Sequence, residues 1–199
     1  MFASSAFATA VTTNSNWYVA GTKLASGETR EIKCSKDGSL VLRSTAFGGI
    51  EITAGKLECP SGGVIKQEGE HGITTVTLKF SELTVMKPTG CTSASSITTK
   101  ALVAKTLMEG TTTYVKFEPT EGETGTFANL TLTGCAAEGI YPVKGSACAK
   151  ASNEIGVEAV DLTLTFSEGA QTAACSGSSP IEGGMNEELV SGSAFITRE

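Results

Sequence analysis

Thr75-Val76-Thr77-Leu78-Lys79-Phe80-Ser81-Glu82 alternates apolar residues with Thr or Lys, and the pattern returns as Leu130-Thr131-Leu132-Thr133-Gly134-Cys135 and as Leu162-Thr163-Leu164-Thr165-Phe166-Ser167-Glu168. Successive side chains of an extended chain point to opposite faces, so Val76, Leu78 and Phe80 share one face and Thr77 and Lys79 the other. Leu162, Leu164 and Phe166 stand against Thr163 and Thr165 in the same way. This is the pattern of half-buried strands in an antiparallel sheet. Nothing in these stretches is a reactive constellation.

Working outward, the same short period covers most of the chain. Trp17-Tyr18-Val19 opens the domain, and Gly21 and Gly27 bracket a short strand around Leu24. Glu31-Ile32-Lys33-Cys34 and Leu40-Val41-Leu42 flank Lys36-Asp37-Gly38, and Asp-Gly accepts the positive φ of a tight turn, which predicts a hairpin there. Gly48-Gly49 leads into Ile50-Glu51-Ile52-Thr53, and Val64-Ile65 starts a strand before the polar tip Glu68-Gly69-Glu70-His71-Gly72. Lys87-Pro88 closes the first repeated strand, because proline cannot donate to a central ladder; Ser93 to Thr99 reads as a linker. Ala101 to Met108 has helical propensity, but the threonines on either side favour a strand. Glu118-Pro119 to Gly125 is an exposed acidic turn, Pro142 marks a sheet edge, and Gly169 to Gly184 reads as an irregular loop pinned by Cys175. Leu189-Val190 and Ala194-Phe195-Ile196 supply the last strand. A dozen or so short strands without a convincing long helix predict an all-β fold, an antiparallel β-sandwich or barrel-like sheet. We place it as a single domain over residues 17–199, preceded by a signal-like segment or N-terminal extension over 1–16.

Length, charge and cysteines narrow the class. A chain of 199 residues suits one all-β domain, and hydrophobic residues at 40% suffice for a core. The net charge is -6 and the 15 Lys and Arg are scattered singly, which argues against a nucleic-acid or anionic-membrane partner. No apolar run reaches the ~18 residues of a transmembrane helix. Cys34, Cys59, Cys91, Cys135, Cys148 and Cys175 form an even set with no CxxC pair, and the single His71 leaves zinc spacing unfilled. Disulfides are therefore expected, with Cys34–Cys59 foremost. Cys135–Cys148 is disfavoured: a turn at 136–139 would leave Cys148 about eight residues up the ladder, on the order of 26 Å from Cys135. Disulfides imply an oxidising compartment, hence a secreted or cell-surface protein. Ala6-Phe7-Ala8 and Ala8-Thr9-Ala10 match signal-peptidase sites, although a basic n-region and a full apolar h-region are missing.

Trp17-Tyr18-Val19-Ala20-Gly21-Thr22-Lys23-Leu24, Gly27-Glu28, Thr98-Thr99-Lys100-Ala101-Leu102, Phe117-Glu118-Pro119 and Gly145-Ser146-Ala147 together resemble a group of exported, uncharacterised actinobacterial proteins. The resemblance implies export and an all-β fold and carries no activity. Where that group commonly has cysteines, after the Ile50 strand and after Phe80-Ser81, this chain has Ala54 and Leu83.

Candidate chemistry reads as structure. His71 sits in a Gly-bounded tip with no base–nucleophile pairing in view, and Glu68, Glu70 and His71 would make only a weak metal site on a loop. Glu118, Glu121 and Glu123, and Glu187 and Glu188, lie in polar runs and read as solvated charges; the first three are the fairer candidates for calcium. Gly48-Gly49, Gly62-Gly63 and Gly183-Gly184 read as turns. No catalytic, cofactor or metal residue is assigned. The expected function is that of an exported, non-enzymatic structural or interaction protein, with a carbohydrate-binding module as the alternative. A lectin-like module predicts a groove with exposed aromatics, and a hydrolase predicts His71 in a cleft beside a serine. Self-association is a further expectation: Ala3 to Val11 are small, uncharged and followed by a polar hinge, a composition that can add a strand to a neighbouring copy's sheet.

Overall fold

A computed structural model of the chain describes residues 11, 12, 16–60, 62–69, 71–109, 112–152, 158–167, 175 and 179–198, and the account below is confined to them. In chain order the strands are β1 (Val11–Thr12), β2 (Asn16–Val19), β3 (Thr22–Lys23), β4 (Thr29–Ser44), β5 (Ile50–Glu58), β6 (Gly63–Glu68), β7 (His71–Val76), β8 (Lys79–Lys87) and β9 (Thr92–Ser93). They continue as β10 (Ser96–Thr98), β11 (Leu102–Glu109), β12 (Thr112–Pro119), β13 (Thr126–Thr133), β14 (Gly139–Lys144), β15 (Ala147–Ala151), β16 (Asp161–Phe166), β17 (Ile181–Leu189) and β18 (Phe195–Arg198). The all-β expectation holds, as does the strand over Ala101 to Met108.

The main sheet closes on itself. β4, β17, β16, β15, β12, β11, β7 and β6 follow one another by antiparallel pairing, and the first residues of β4, Thr29 to Ile32, pair with β6 to seal an eight-stranded barrel. Over the paired stretches closure removes sheet edges, the sites at which strands of other chains add; β11 beyond Lys105 is not covered by β7. Leu102, Val115, Phe117, Leu164, Phe166, Met185 and Ile65 are buried from successive staves, with the Phe117 and Phe166 rings 5.6 Å apart. The intervening positions carry Lys33, Lys105, Lys116, Glu118 and Glu188 in ion pairs. A charged outside and an apolar inside are the reverse of a lipid-facing barrel.

On the edge away from β17 the long strand β4 changes partner, from β6 over Thr29 to Ile32 to β5. Val41 to Ser44 pair with β5, and β5 leads to β8 and β10, a flap that leaves the barrel. The sheet β14-β13-β9 packs on this flap, joined by the Thr99–Ala128 bridge, with Pro142 on its outer strand as expected. A third sheet, β18-β2-β3, lays Trp17 over β6 and β7: the Trp17 amide donates to Gln67 Oε1 and its indole Nε1 to the Ile73 carbonyl.

Four sequence readings are corrected. Thr75 to Glu82 is two strands: β7 belongs to the barrel, β8 to the flap, and the chain passes between them at Thr77 and Leu78. Alternating burial runs unbroken through this junction, so periodicity cannot reveal it. It is set from a distance, by Thr99, whose Oγ1 accepts from the Leu78 amide and whose own amide donates to the Leu78 carbonyl. Asp37-Gly38 is no hairpin but a bulge within the 16-residue β4, opposite β17, where Gly183 pairs with Leu40 and Gly184 with Asp37. A Cβ on Gly183 would lie 1.9 Å from the Ser39 carbonyl oxygen, so the two glycines that read as a turn are instead what lets β17 pass the bulge. The predicted 169–184 loop is therefore too long, since Ile181 to Leu189 form a central stave; residues 168–174 and 176–178 lie outside the described set. Ser93 to Thr99 is not a linker, since it contains the end of β9 and all of β10.

Three disulfides join Cys34 to Cys59, Cys91 to Cys135 and Cys148 to Cys175. The expected first pair is present and the disfavoured Cys135–Cys148 pair is not. The first links β4 to the end of β5, the second links the start of β9 to the end of β13, and the third ties Cys175 to the stave β15. Ala54 and Leu83 face each other across β5 and β8.

Candidate functional site

Where the barrel, the flap and the β14 edge meet, the surface opens into a groove of about 680 Å³. That volume lies within the range of small-ligand sites. Its walls are Arg43 to Thr45, Gly48 to Glu51, Pro142 to Lys144, and Ser179 with Pro180. Sequence places these residues by ordinary pairing rules. Arg43 and Glu51 are cross-strand partners on β4 and β5, and Lys87 is the partner of Glu51 on β8, so the three stand in a row on one face.

The row is locked. Arg43 donates through Nε and Nη2 to Glu182 Oε2, at 2.9 and 2.6 Å, and through Nη1 to Glu51 Oε1 at 2.6 Å. Lys87 Nζ reaches the same Glu51 oxygen at 2.9 Å. The Lys87 hydrogen bond, and after it the charge of Arg43, holds the Glu51 carboxyl below its ordinary range, so it is an ionised acceptor at neutral pH. Glu51 Oε2 and Lys144 Nζ have no hydrogen-bond or ion-pair partner among the described residues. Of its charged groups the groove thus presents one prepositioned acceptor and one donor, together with the apolar rings of Pro142 and Pro180.

Phe47 lies in the loop between Thr45 and Gly48, two of the lining residues. It is 62% exposed, within a loop whose backbone turns left-handed at Phe47 (φ 52°) and Gly48 (φ 77°). A bulky residue at positive φ is strained, and exposing its ring gains little burial. The fold returns one contact for this, an edge-on approach to Tyr141 with ring centroids 6.3 Å apart, and Tyr141 is itself fixed by donating to the Ala137 carbonyl.

The residues singled out from the sequence lie elsewhere. His71 is exposed at the β6–β7 hairpin, opposite Glu68; Glu70 lies outside the described residues. Glu118 and Glu123 are both engaged by Lys116, and Glu121 is exposed. Among the described residues no three His, Cys, Asp or Glu side chains converge as metal ligands. Trp17 is buried against Phe195, while Tyr18 is half-buried.

Glu187 overturns its reading as a solvated charge. It alternates with Met185 and Leu189 on the buried face of β17, is 1% exposed, and its Oε1 has no hydrogen-bond partner. Burial pushes its carboxyl up to about 7. Sealed from solvent, it is presented to no substrate. The signal was there in Ile181-x-x-x-Met185-x-Glu187-x-Leu189, a period-2 run that the neighbouring Glu182 and Glu188 disguise as a polar segment.

In comparisons with family models, curated proteins and solved structures, nothing matches this chain.

Proposed function

We propose that this chain is an exported, non-enzymatic interaction protein of the cell surface or extracellular space, and that it meets its partner at the Arg43–Glu51–Lys144 groove. The observation that carries the reading is Phe47, a strained, exposed residue in the loop between Thr45 and Gly48, which line a groove whose charged wall is held by ion pairs. Strain of this kind persists where a contact selects for it. Export is supported by the three disulfides, which an oxidising compartment sustains. No helix among the described residues is long and apolar enough to cross a membrane.

A second reading, self-assembly through strand edges, is favoured by one observation. β11 is covered by β7 only over Leu102 to Lys105, and β1 pairs with β11 further along, at Met108 and Glu109. The N-terminal segment is thus able to add a strand here, and a second copy's segment has the same chemistry. Hydroxyl-radical footprinting of the full chain, with and without envelope material from the producing organism, tests both readings. Protection by the envelope over residues 43–51 and 140–144 supports groove binding. Protection at 102–109 that depends on protein concentration alone supports assembly and contradicts it.

A further inference from the structure

We infer that the ligand of this groove is a neutral saccharide, recognised through its hydroxyls by Glu51 and Lys144 and through a sugar face by Phe47; the inference rests on the groove reading above. The fixed charges argue for it. Arg43, Lys87 and Lys144 stand against Glu51 and Glu182, so the site is nearly compensated. An anionic ligand would meet the unpartnered Oε2 of Glu51, and a cationic one would meet the unpartnered ammonium of Lys144. A hydroxyl suits both, because it donates to the carboxylate and accepts from the ammonium.

The geometry adds to this. Because Arg43 and Lys87 both hold Oε1 of Glu51, its carboxylate is oriented before a ligand arrives and loses little side-chain freedom on binding. The Pro142 and Pro180 rings offer apolar surface between the polar groups, and Phe47, exposed in the loop between the lining residues Thr45 and Gly48 and close to Tyr141, offers an aromatic face to the C–H side of a pyranose. Polar side chains interspersed with apolar ones such as Pro142, Val143 and Pro180 are the makeup of a site that fixes a polyhydroxylated ring in one orientation.

The test is an NMR titration of ¹⁵N-labelled full chain with tetrasaccharides of glucose (β1,4- and α1,4-linked), mannose and N-acetylglucosamine. Trigalacturonate serves as the acidic probe and trilysine as the basic one. The expected result is saturable shifts of the amides of Arg43 to Glu51 and of Val143 and Lys144 with at least one neutral sugar. Affinity should fall about tenfold or more in Glu51→Gln, in Lys144→Ala and in Phe47→Asn, whose asparagine accepts the left-handed backbone so that the fold is kept. Lys144 lies outside the ion-pair row, so its variant still tests the site if Glu51→Gln unfolds. Shifts elicited only by trigalacturonate or trilysine, or by no member of the panel, overturn the saccharide assignment. Envelope footprinting on the groove would in that case still stand for a partner of another class, and its absence would remove the groove reading itself.

Discussion

Gln67 and Glu187 are both polar, both sealed from water and both on staves of one barrel, yet the fold treats them oppositely. Every polar atom of the Gln67 amide is engaged: Oε1 accepts from the Trp17 amide, and Nε2 donates to Asn16 Oδ1 and to the Gly69 carbonyl. It joins the β18-β2-β3 sheet to the barrel. Glu187 has nothing comparable, and its stave also has to pass the β4 bulge at Gly183 and Gly184. The difference shows that burial of a polar group organises structure only when its partners are built with it; otherwise the group sets a pH-dependent cost. One end of the molecule is overdetermined, and β17 is tolerated.

The largest effect is expected on the tolerated side. Gly183→Ala would put a Cβ 1.9 Å from the Ser39 carbonyl oxygen at φ 119°, and we expect a loss on the order of 4–5 kcal/mol or failure to fold, read by urea denaturation. A milder loss would mean that the bulge can shift register. Gln67→Leu sharpens the other side: the Trp17 amide and the Asn16 side chain lose their partner, for an expected cost of about 3 kcal/mol, detectable also as a blue-to-red change in Trp17 fluorescence as β2 loosens.

Glu187 gives the direct contrast. Its folded-state carboxyl lies above the ordinary 4.5, so the native state holds the proton more tightly than the unfolded chain. Its contribution is therefore most favourable below about pH 4.5 and is lost as pH rises through about 7. At ~1.4 kcal/mol per decade this is roughly 3 kcal/mol. Glu187→Met should stabilise the protein at pH 8 by about 2–3 kcal/mol, change little at pH 4 and flatten the profile between. A variant no more stable than the parent at pH 8 would show that Glu187 has a partner in solution. The smallest effect is expected for Phe47→Asn. Relief of the left-handed strain and loss of the Tyr141 contact oppose each other, so stability should move by less than about 1 kcal/mol by thermal denaturation.

Much of the fold was legible because period-2 alternation is a local property. It marked the strand through Leu162 to Phe166, while flanking threonines marked β11, the proline marked the Pro142 edge, and the even cysteine count announced the disulfides. What escaped depends on residues far apart in sequence. The β7–β8 junction is fixed by Thr99, barrel closure by pairing Thr29 to Ile32 with Gly63 to Lys66, and the Asp37-Gly38 bulge by two glycines almost 150 positions away, roughly as the chain runs. Asp-Gly chemistry fits a hairpin and a bulge equally, since both need a positive φ. The groove escaped for the same reason: Arg43 and Glu51 are near in sequence, but Lys144 and Pro180 reach them only through the folded sheets. Glu187 escaped by a different route, since its period was readable but its neighbours' charge outweighed it.

Co-sedimentation with envelope material from the producing organism decides whether the groove binds a partner. The full chain, the Phe47→Asn and Lys144→Ala variants, and Lys150→Ala on the exposed outside of β15 as a control are compared at equal concentration. The account predicts that the two groove variants lose at least tenfold in bound fraction while keeping the parent's melting temperature, and that the control binds as the parent does. Equal binding by all four would contradict it, and the groove would then be a feature of packing alone.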